Sequence, residues 1–205
     1  MGMGITQRLL KWEEALAPAG CWREVGPDIL VIPFLRPDFC AELIAAAETV
    51  GDFKPLPSDV ENAAAPGREL RLNIIAPEIA RQFDIHFQER VAPVLRTHWW
   101  PLNLGKTRMP FILRYSPDTQ PVLDPHHDAA MVSMAILLNE GYEGGELTFP
   151  RQHWTSRDVG LGEVIAFPSR VTHVHWVMPV TAGTRYAMAA WIAVPGDEPD
   201  DAIVP

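Results

Sequence analysis

The chain has 205 residues, enough for one domain with a sizeable hydrophobic core. Hydrophobic residues make up 47% of it, which excludes the apolar-poor composition of a disordered protein. The formal net charge is −9, so we expect no nucleic-acid partner, because phosphates are bound through clustered Lys and Arg. No apolar run approaches the ~18 residues of a membrane span, so we expect no membrane partner either. The composition leaves the oligomeric state open.

Cys21 and Cys40 are the only two cysteines of the chain. They lack the spacing of a disulfide framework or of a zinc site, and we expect both thiols to be buried as small apolar side chains. The first residues contain no apolar segment of signal-peptide length. These features predict a cytoplasmic protein.

The first half of the chain is predicted to be mainly helical. The expected elements are, in chain order, a helix over 5–17, a buried strand over 29–32, a helix from Pro37 to about Gly51 and a helix from Pro77 to about Trp99. Pro37 suits the first position of a helix, and Pro93 should kink or end the third one. Residues 52–67 are rich in Pro and Ala and are expected to form a loop.

The second half shows a different pattern, with short apolar segments separated by Gly, Pro, Asn and Asp. The segments are 109–116, 130–138, 145–149, 162–167, 172–179 and 185–194. Their lengths and spacing indicate a β-sandwich or barrel rather than βαβ units. We therefore predict a single domain over 1–205, with helical support over about 1–107 and a β core over about 108–194.

Five of the seven histidines lie between 126 and 175. His126 and Asp128 form an H-x-D triplet, and residues i and i+2 of a strand share one face, so both can reach one metal ion. His175 lies in a later predicted strand, with His173 on the same face. Two imidazoles and one carboxylate form the facial triad of non-heme Fe(II) oxygenases. The triplet alone is equally compatible with a surface His–Asp pair.

Arg185 follows His175 by ten residues, on the next predicted strand. Its planar guanidinium can pair bidentately with a carboxylate. Four residues of this strand share one face: Arg185, Ala187, Ala189 and Trp191. The two alanines leave space for a buried ligand, to which the hydroxyl of Tyr115 could also bind. From the residues alone, Arg185 could instead pair with an acidic side chain, and Tyr115 could be a core residue.

Taken together, these motifs resemble the catalytic domain of procollagen lysyl hydroxylases. The wider group is the 2-oxoglutarate- and Fe(II)-dependent oxygenases of the prolyl and lysyl hydroxylase type. The similar stretches are Phe111–Asp128, Tyr142–Gly145 and His173–Tyr186. The resemblance is strong over about 108–193 and extends more weakly back to about Pro27.

The resemblance implies a mainly β fold with supporting α-helices, the double-stranded β-helix or jelly roll. His126, Asp128 and His175 match the iron ligands of the family. Arg185 matches the residue that binds the distal carboxylate of 2-oxoglutarate, and Tyr115 a tyrosine that helps to hold it. The implied cofactors are Fe(II), 2-oxoglutarate as cosubstrate and O₂, with ascorbate as a candidate addition. His173 would then support a ligand or face the substrate, whereas His127 should point to the opposite face.

The implied reaction is hydroxylation of an aliphatic C–H bond, with 2-oxoglutarate converted to succinate and CO₂. The partner would be a small-molecule or peptide substrate, with lysine or proline as the family-based expectation. The acidic net charge favours a cationic substrate. Two positions depart from the lysyl hydroxylases, because Ala135 stands where they carry Asn and Glu146 follows the glycines where they carry Cys.

Two other classes of protein remain open at this stage. One is a cupin-like metal-binding protein, or a binding domain that kept the fold without catalysis, and it would not need Arg185 in its pocket. The other is a metal-assisted hydrolase, which would need a carboxylate general base near the metal.

Overall fold

The computed structural model describes residues 6–55 and 68–197, which are built mainly from antiparallel strands. The strands are β1 (Arg23–Gly26), β2 (Ile29–Pro33), β3 (Lys54–Pro55), β4 (Arg68–Arg71), β5 (Phe111–Tyr115), β6 (Leu123–His126), β7 (Val132–Leu137), β8 (Glu143–Gly144), β9 (Leu147–Phe149), β10 (Trp154–Thr155), β11 (Glu163–Pro168), β12 (His175–Val177), β13 (Val180–Ala182) and β14 (Arg185–Ile192). The helices are α1 (Gln7–Leu10), α2 (Pro37–Val50), α3 (Leu72–Ile75), α4 (Pro77–His86) and α5 (Ala92–His98).

Two sheets carry the functional half of the fold. The large sheet has the order β1–β2–β11–β7–β14–β5–β4–β3, the small sheet has the order β10–β9–β12–β6, and β8 pairs with β13. From β5 onward the chain alternates between the sheets, with β5, β7, β11 and β14 in the large one and β6, β9 and β12 in the small one. This alternation is that of a double-stranded β-helix, and the expected fold class is confirmed.

The large sheet has two chemically different faces. On β14 the side chains of Met188, Ala190 and Ile192 are buried in the same hydrophobic core as helices α2 and α4. The intervening residues of the strand line an internal cavity: Arg185, Ala187, Ala189 and Trp191. The period of two along the strand therefore directs one face to the helices and the other to the cavity, as the sequence pattern predicts.

The helices follow the sequence prediction with three differences, the first of which is the unpredicted short helix α3. Helix α2 begins at Pro37 and ends at Val50, and it is followed by Gly51, whose left-handed φ of +67° is a conformation that glycine adopts readily. The first helix is shorter than expected, because α1 ends at Leu10 and a separate turn of 3₁₀-helix follows. Pro93 does not end the third helix, since a π-helical turn over Phe87–Val91 precedes it and α5 continues beyond it. Pro93 has no amide hydrogen and so cannot donate a helical hydrogen bond. The π-helical turn lies just before it, and the chain remains helical past the proline.

The region before residue 108 contains more strand than predicted. Strands β1 and β2 extend the large sheet beyond β11, and β3 and β4 extend it beyond β5. Strand β4 has the sequence Arg-Glu-Leu-Arg and so lacks the apolar character by which strands are predicted. The predicted loop over 52–67 contains β3 at its start, and 56–67 lie outside the described residues. Cys21 is exposed, contrary to expectation, because it precedes β1 at the edge of the sheet, whereas Cys40 is buried.

None of the helices in the described part of the chain is long and apolar enough to cross a membrane.

Candidate active site

His126 and His175 form the centre of the candidate site. His126 is the last residue of β6 and His175 the first of β12, and the two are paired in register, with ring centroids 4.4 Å apart. The Nδ1 of His126 lies 2.8 Å from the carbonyl oxygen of Asp124, and the Nδ1 of His175 lies 2.9 Å from that of His173. A carbonyl only accepts, so each Nδ1 carries the proton. Each Nε2 is thereby left with a lone pair for a metal ion.

Asp128 completes this group, which we call the ligand triad (His126, Asp128 and His175). Its carboxylate oxygens lie 3.4 Å from the Nε2 of His126 and 3.6 Å from the Nε2 of His175. The three ligand atoms lie within 4.8 Å of one another. The H-x-D triplet is not one continuous strand, because β6 ends at His126 and Asp128 lies in the irregular segment that follows it. The predicted residues nevertheless meet at one point.

Two serines that the sequence analysis missed hold the carboxylate of Asp128. The hydroxyl of Ser133 donates to Oδ2 of Asp128 at 2.5 Å, and the hydroxyl of Ser169 lies 2.7 Å from that of Ser133. Because the proton of Ser133 is given to the carboxylate, Ser169 must be the donor to Ser133. Both serines are buried. The available signal was a serine at a cavity-facing position of the otherwise apolar strand β7.

The charge states of the triad suit metal binding. Burial acts to raise the pKa of Asp128, but in the metal-free protein a hydrogen bond from protonated His126 and the charge of protonated His175 outweigh it. The pKa of Asp128 therefore lies below its ordinary value, and the hydroxyl of Ser133 contributes to this. Burial also lowers the pKa of His175, although Asp128 acts in the other direction. A carboxylate and a neutral imidazole are the forms that bind a metal ion.

Arg185 lies at the inner end of the same cavity. It pairs in register with Tyr115 across β14 and β5, and its guanidinium carbon lies 5.2 Å from the centre of the Tyr115 ring. Arg185 is 4% exposed, and its Nε has no hydrogen-bond partner among the described residues. A buried donor without a protein partner can bind a ligand that enters the cavity. The donor geometry of a guanidinium fits a carboxylate.

Gly145, which lies between β8 and β9, makes room for this arginine. A Cβ atom placed on Gly145 would lie 2.8 Å from Cδ of Arg185, and the residue has a φ of +74°. Tyr142, from the same segment, stands beside the guanidinium; burial raises the pKa of its hydroxyl, although Arg185 acts to lower it. Tyr142 is therefore a neutral phenol beside Arg185. The sequence alone assigns no role to the residues of this segment.

The cavity has a volume of about 590 Å³ and contains every predicted site residue. Its inner end is lined by Tyr115, Gln120, Leu123, Leu147, Val177 and Arg185. Its outer end is lined by the buried Phe111 and by five residues that are partly or fully exposed: Arg108, Asp124, His127, Ala129 and Trp191. Ala187 and Ala189 also line it, which confirms the expectation that they leave space for a ligand.

Of two further histidines, His173 has one of its two expected roles, the support of a ligand, and His127 differs from expectation. The Nε2 of His173 donates to the carbonyl oxygen of Pro27 at 3.1 Å, and its ring is buried away from the cavity. His173 therefore does not face a substrate, and its own carbonyl holds His175. His127 lies at the mouth of the cavity rather than on the opposite face, because the chain leaves strand geometry after His126.

A second group of potential metal ligands among the described residues is Glu24, Asp28 and His98. It is mostly exposed, and Oδ1 of Asp28 already accepts a hydrogen bond of 2.8 Å from the indole of Trp99. The ligand triad, by contrast, is enclosed by the sheets and has both histidine tautomers fixed. Two imidazoles and one carboxylate fit Fe(II) with open coordination positions, and Arg185 fits the distal carboxylate of 2-oxoglutarate.

Comparison with known sequences agrees with this geometry. Residues 110–193 match the family model of the 2OG-Fe(II) oxygenase superfamily. The chain is 34% identical over 193 residues to a multifunctional procollagen lysine hydroxylase and glycosyltransferase of Caenorhabditis elegans, covering 88% of this chain and 26% of that protein. It is 33% identical over 177 residues to procollagen-lysine,2-oxoglutarate 5-dioxygenase 1 of Rattus norvegicus, covering 81% and 24%. The chain thus spans about a quarter of the length of these relatives.

Solved structures share the fold. The viral collagen prolyl hydroxylase of Paramecium Bursaria Chlorella virus-1, in complex with 2OG, has a TM-score of 0.61 and 20% identity, covering 82% of this chain and 97% of its own. The Trichoplax adhaerens prolyl hydroxylase in complex with a hypoxia inducible factor peptide has a TM-score of 0.64 and 16% identity, covering 81% and 83%. From the fold, the ligand triad and these matches, we conclude that the chain carries a 2OG-Fe(II) oxygenase domain of the prolyl and lysyl hydroxylase type.

Proposed function

We propose that this chain is an Fe(II)- and 2-oxoglutarate-dependent hydroxylase of an aliphatic C–H bond in an amino acid or peptidyl side chain. One observation carries the proposal: a single cavity joins the ligand triad to the buried Arg185, whose Nε has no protein partner among the described residues. The similarity to procollagen lysine hydroxylases supports a side chain of the lysyl or prolyl type as substrate.

Each residue of the cavity has a defined task in this proposal. When bound, Fe(II) with 2-oxoglutarate and O₂ supplies the oxidising chemistry, in which succinate and CO₂ are released as the substrate is hydroxylated. The ligand triad offers three ligand atoms from one side and leaves the other side open. Arg185 and Tyr115 would bind the distal carboxylate and so fix the direction in which the cosubstrate lies.

The walls of the inner end keep water away from these polar groups. Leu147 and Val177 are buried and line the cavity near Arg185. In such a water-poor environment the pairing of a guanidinium with a carboxylate is stronger than in bulk water. The inner end is thus built to hold an anionic cosubstrate.

The two alternative classes explain less of the site. A metal-binding protein without oxygen chemistry gives no reason to bury Arg185 in the cavity. A metal-assisted hydrolase needs a carboxylate base beside the metal in addition to its ligands. Among the described residues, the only other acidic residue that lines the cavity is Asp124, which is exposed and whose backbone carbonyl holds His126.

The test is the formation of succinate by the purified protein with Fe(II), 2-oxoglutarate and air. We expect succinate to require all three components, at a slow rate without substrate and faster with lysyl or prolyl peptides. Asp128→Ala serves as the control, because it removes a ligand while leaving Arg185 in place. Succinate formation no higher than that of Asp128→Ala, with or without peptides, would refute the proposal.

We also propose a cytoplasmic location. The support is that Cys21 and Cys40 are both free thiols, which a reducing compartment preserves. Fractionation of the source cells tests it, with the protein expected in the cytoplasmic fraction. Recovery from a secreted or membrane fraction would contradict it.

A further inference from the structure

We propose that Arg108, supported by the ring of Trp191, binds a carboxylate of the substrate at the outer end of the cavity. The inference rests on the proposed hydroxylase function and specifies its substrate class. The substrate would be an aliphatic amino acid or peptide that carries a carboxylate near the C–H bond to be hydroxylated.

The register of the large sheet divides the cavity between cosubstrate and substrate. Ser133, which holds Asp128, pairs with Trp191 across β7 and β14, so the ligand triad lies near the outer end of the cavity. Arg185 is six residues from Trp191 along β14, so the two side chains lie at opposite ends of the cavity with the ligand triad between them. A cosubstrate that reaches from Arg185 to the triad occupies the inner end. The substrate must therefore approach beside Trp191.

Arg108 is held at this position by backbone and ring contacts. Its amide donates to the carbonyl of Trp191 at 2.9 Å, and the adjacent Thr107 forms a β-bridge with Ile192. Its guanidinium carbon lies 5.6 Å from the centre of the Trp191 ring. Phe111 packs edge-on against the same indole at 5.3 Å. The guanidinium thus rests on an aromatic wall that fixes its orientation.

The chemistry of this end fits an apolar group joined to an anion. Phe111, Trp191 and Ala189 provide an apolar surface beside the triad. Arg108 provides five N–H donors, so it can bind a carboxylate bidentately while keeping other contacts. The acidic net charge favoured a cationic substrate, but the charge beside the aromatic wall is positive. A nearby charge acts more strongly on a bound substrate than the charge of the whole surface.

The test compares ligands that differ only in the carboxylate. Lysine, proline and leucine are each used as the free acid and as the carboxamide. The same three residues are placed in blocked dipeptides before Glu or before Gln. Dissociation constants are measured by calorimetry with Mn(II) and N-oxalylglycine, an inert analogue of 2-oxoglutarate, so that no turnover occurs. The variants are Arg108→Gln, Arg108→Lys and the control Arg81→Gln, which removes an exposed arginine on α4.

We expect at least one acid to bind about 10- to 100-fold more tightly than its amide, as a charge-assisted pair provides. Arg108→Gln should abolish this preference, Arg108→Lys should retain part of it, and Arg81→Gln should leave it intact. A preference among free amino acids identifies an α-carboxylate, and one among dipeptides identifies an acidic side chain.

Two results would overturn the inference alone: tight binding of N-oxalylglycine without any preference for acids, or an undiminished preference in Arg108→Gln. Failure of the wild-type protein to bind N-oxalylglycine with Mn(II) would instead refute the proposed function, and this inference with it.

Discussion

His126 and His175 face each other across β6 and β12, and each donates its Nδ1 proton to the backbone carbonyl two residues before it. The same local arrangement on two neighbouring strands fixes both tautomers by backbone geometry. Both Nε2 atoms therefore point at Asp128 without the help of another side chain. The two imidazole ligands of the site are thus positioned by neighbouring strands of the small sheet.

The carboxylate of the triad depends on side chains of the large sheet. We expect Ser133→Ala to weaken Mn(II) binding about 10- to 100-fold, because Asp128 loses the donor that fixes its Oδ2. Ser133→Thr should retain most of the affinity, since it keeps a hydroxyl. Ser116→Ala, at a half-buried serine bonded to Thr119, is the matched control. Wild-type affinity in Ser133→Ala, measured by calorimetry, would show that the hydrogen bond does not position the ligand.

The position of Arg185 depends on the absence of a side chain at Gly145. We expect Gly145→Ala to lower the affinity for 2-oxoglutarate by at least tenfold while Mn(II) still binds, because the new Cβ would displace Cδ of Arg185. Gly141→Ala is the matched control, since Gly141 has a similar φ of +82° but nothing within 4 Å of an added Cβ.

Both glycine variants should lose about 1–2 kcal/mol of stability from the left-handed backbone. Thermal unfolding measures this loss of stability, which should be similar in Gly145→Ala and Gly141→Ala. The affinity for 2-oxoglutarate, by contrast, should fall only in Gly145→Ala. Equal affinities in the two variants would contradict the role of Gly145.

The stability of the metal-free protein should fall on mild acidification. Burial lowers the pKa of both His173 and His175 from the ordinary value of 6.5. The unfolded chain therefore binds protons more readily than the folded chain, and stability rises with pH. The stability that the two neutral histidines contribute is fully present above pH 6.5. It is lost as the pH falls through their pKa values in the folded protein.

Thermal unfolding between pH 8 and pH 5 checks this, with His173→Asn expected to show a shallower dependence than the wild type. His153→Asn, at an exposed histidine, should leave the dependence unchanged. A melting temperature that is constant or increases from pH 7.5 to 5.5 would contradict the expected sign.

The sequence predicts those parts of the site whose residue types are distinctive. His126, Asp128, His175 and Arg185 could be selected because imidazole, carboxylate and guanidinium at those spacings suggest a metal site and a carboxylate site. The alternation along β14 also predicts which side chains share the cavity, since the period of a strand is fixed by its geometry.

Other parts depend on tertiary contacts that carry no local signal. Ser133 is an ordinary residue until the fold brings it to Asp128, and Gly145 acquires its role only when Arg185 passes beside it. Strand β4 was missed because three of its four residues, Arg68, Glu69 and Arg71, are charged, so it lacks the apolar pattern of a core strand. Cys21 is exposed although a small thiol is usually buried, because the chain places it at the edge of the large sheet.

The most direct test of the site is the binding of 2-oxoglutarate to the Fe(II)-loaded protein without O₂, followed by the absorbance of the metal chelate. We predict a chelate band in the wild-type protein. In Arg185→Ala we predict an affinity for 2-oxoglutarate about 10- to 100-fold lower, with Fe(II) binding retained. The absence of a band in the wild type, or an equal loss of Fe(II) and 2-oxoglutarate binding in Arg185→Ala, would contradict the account.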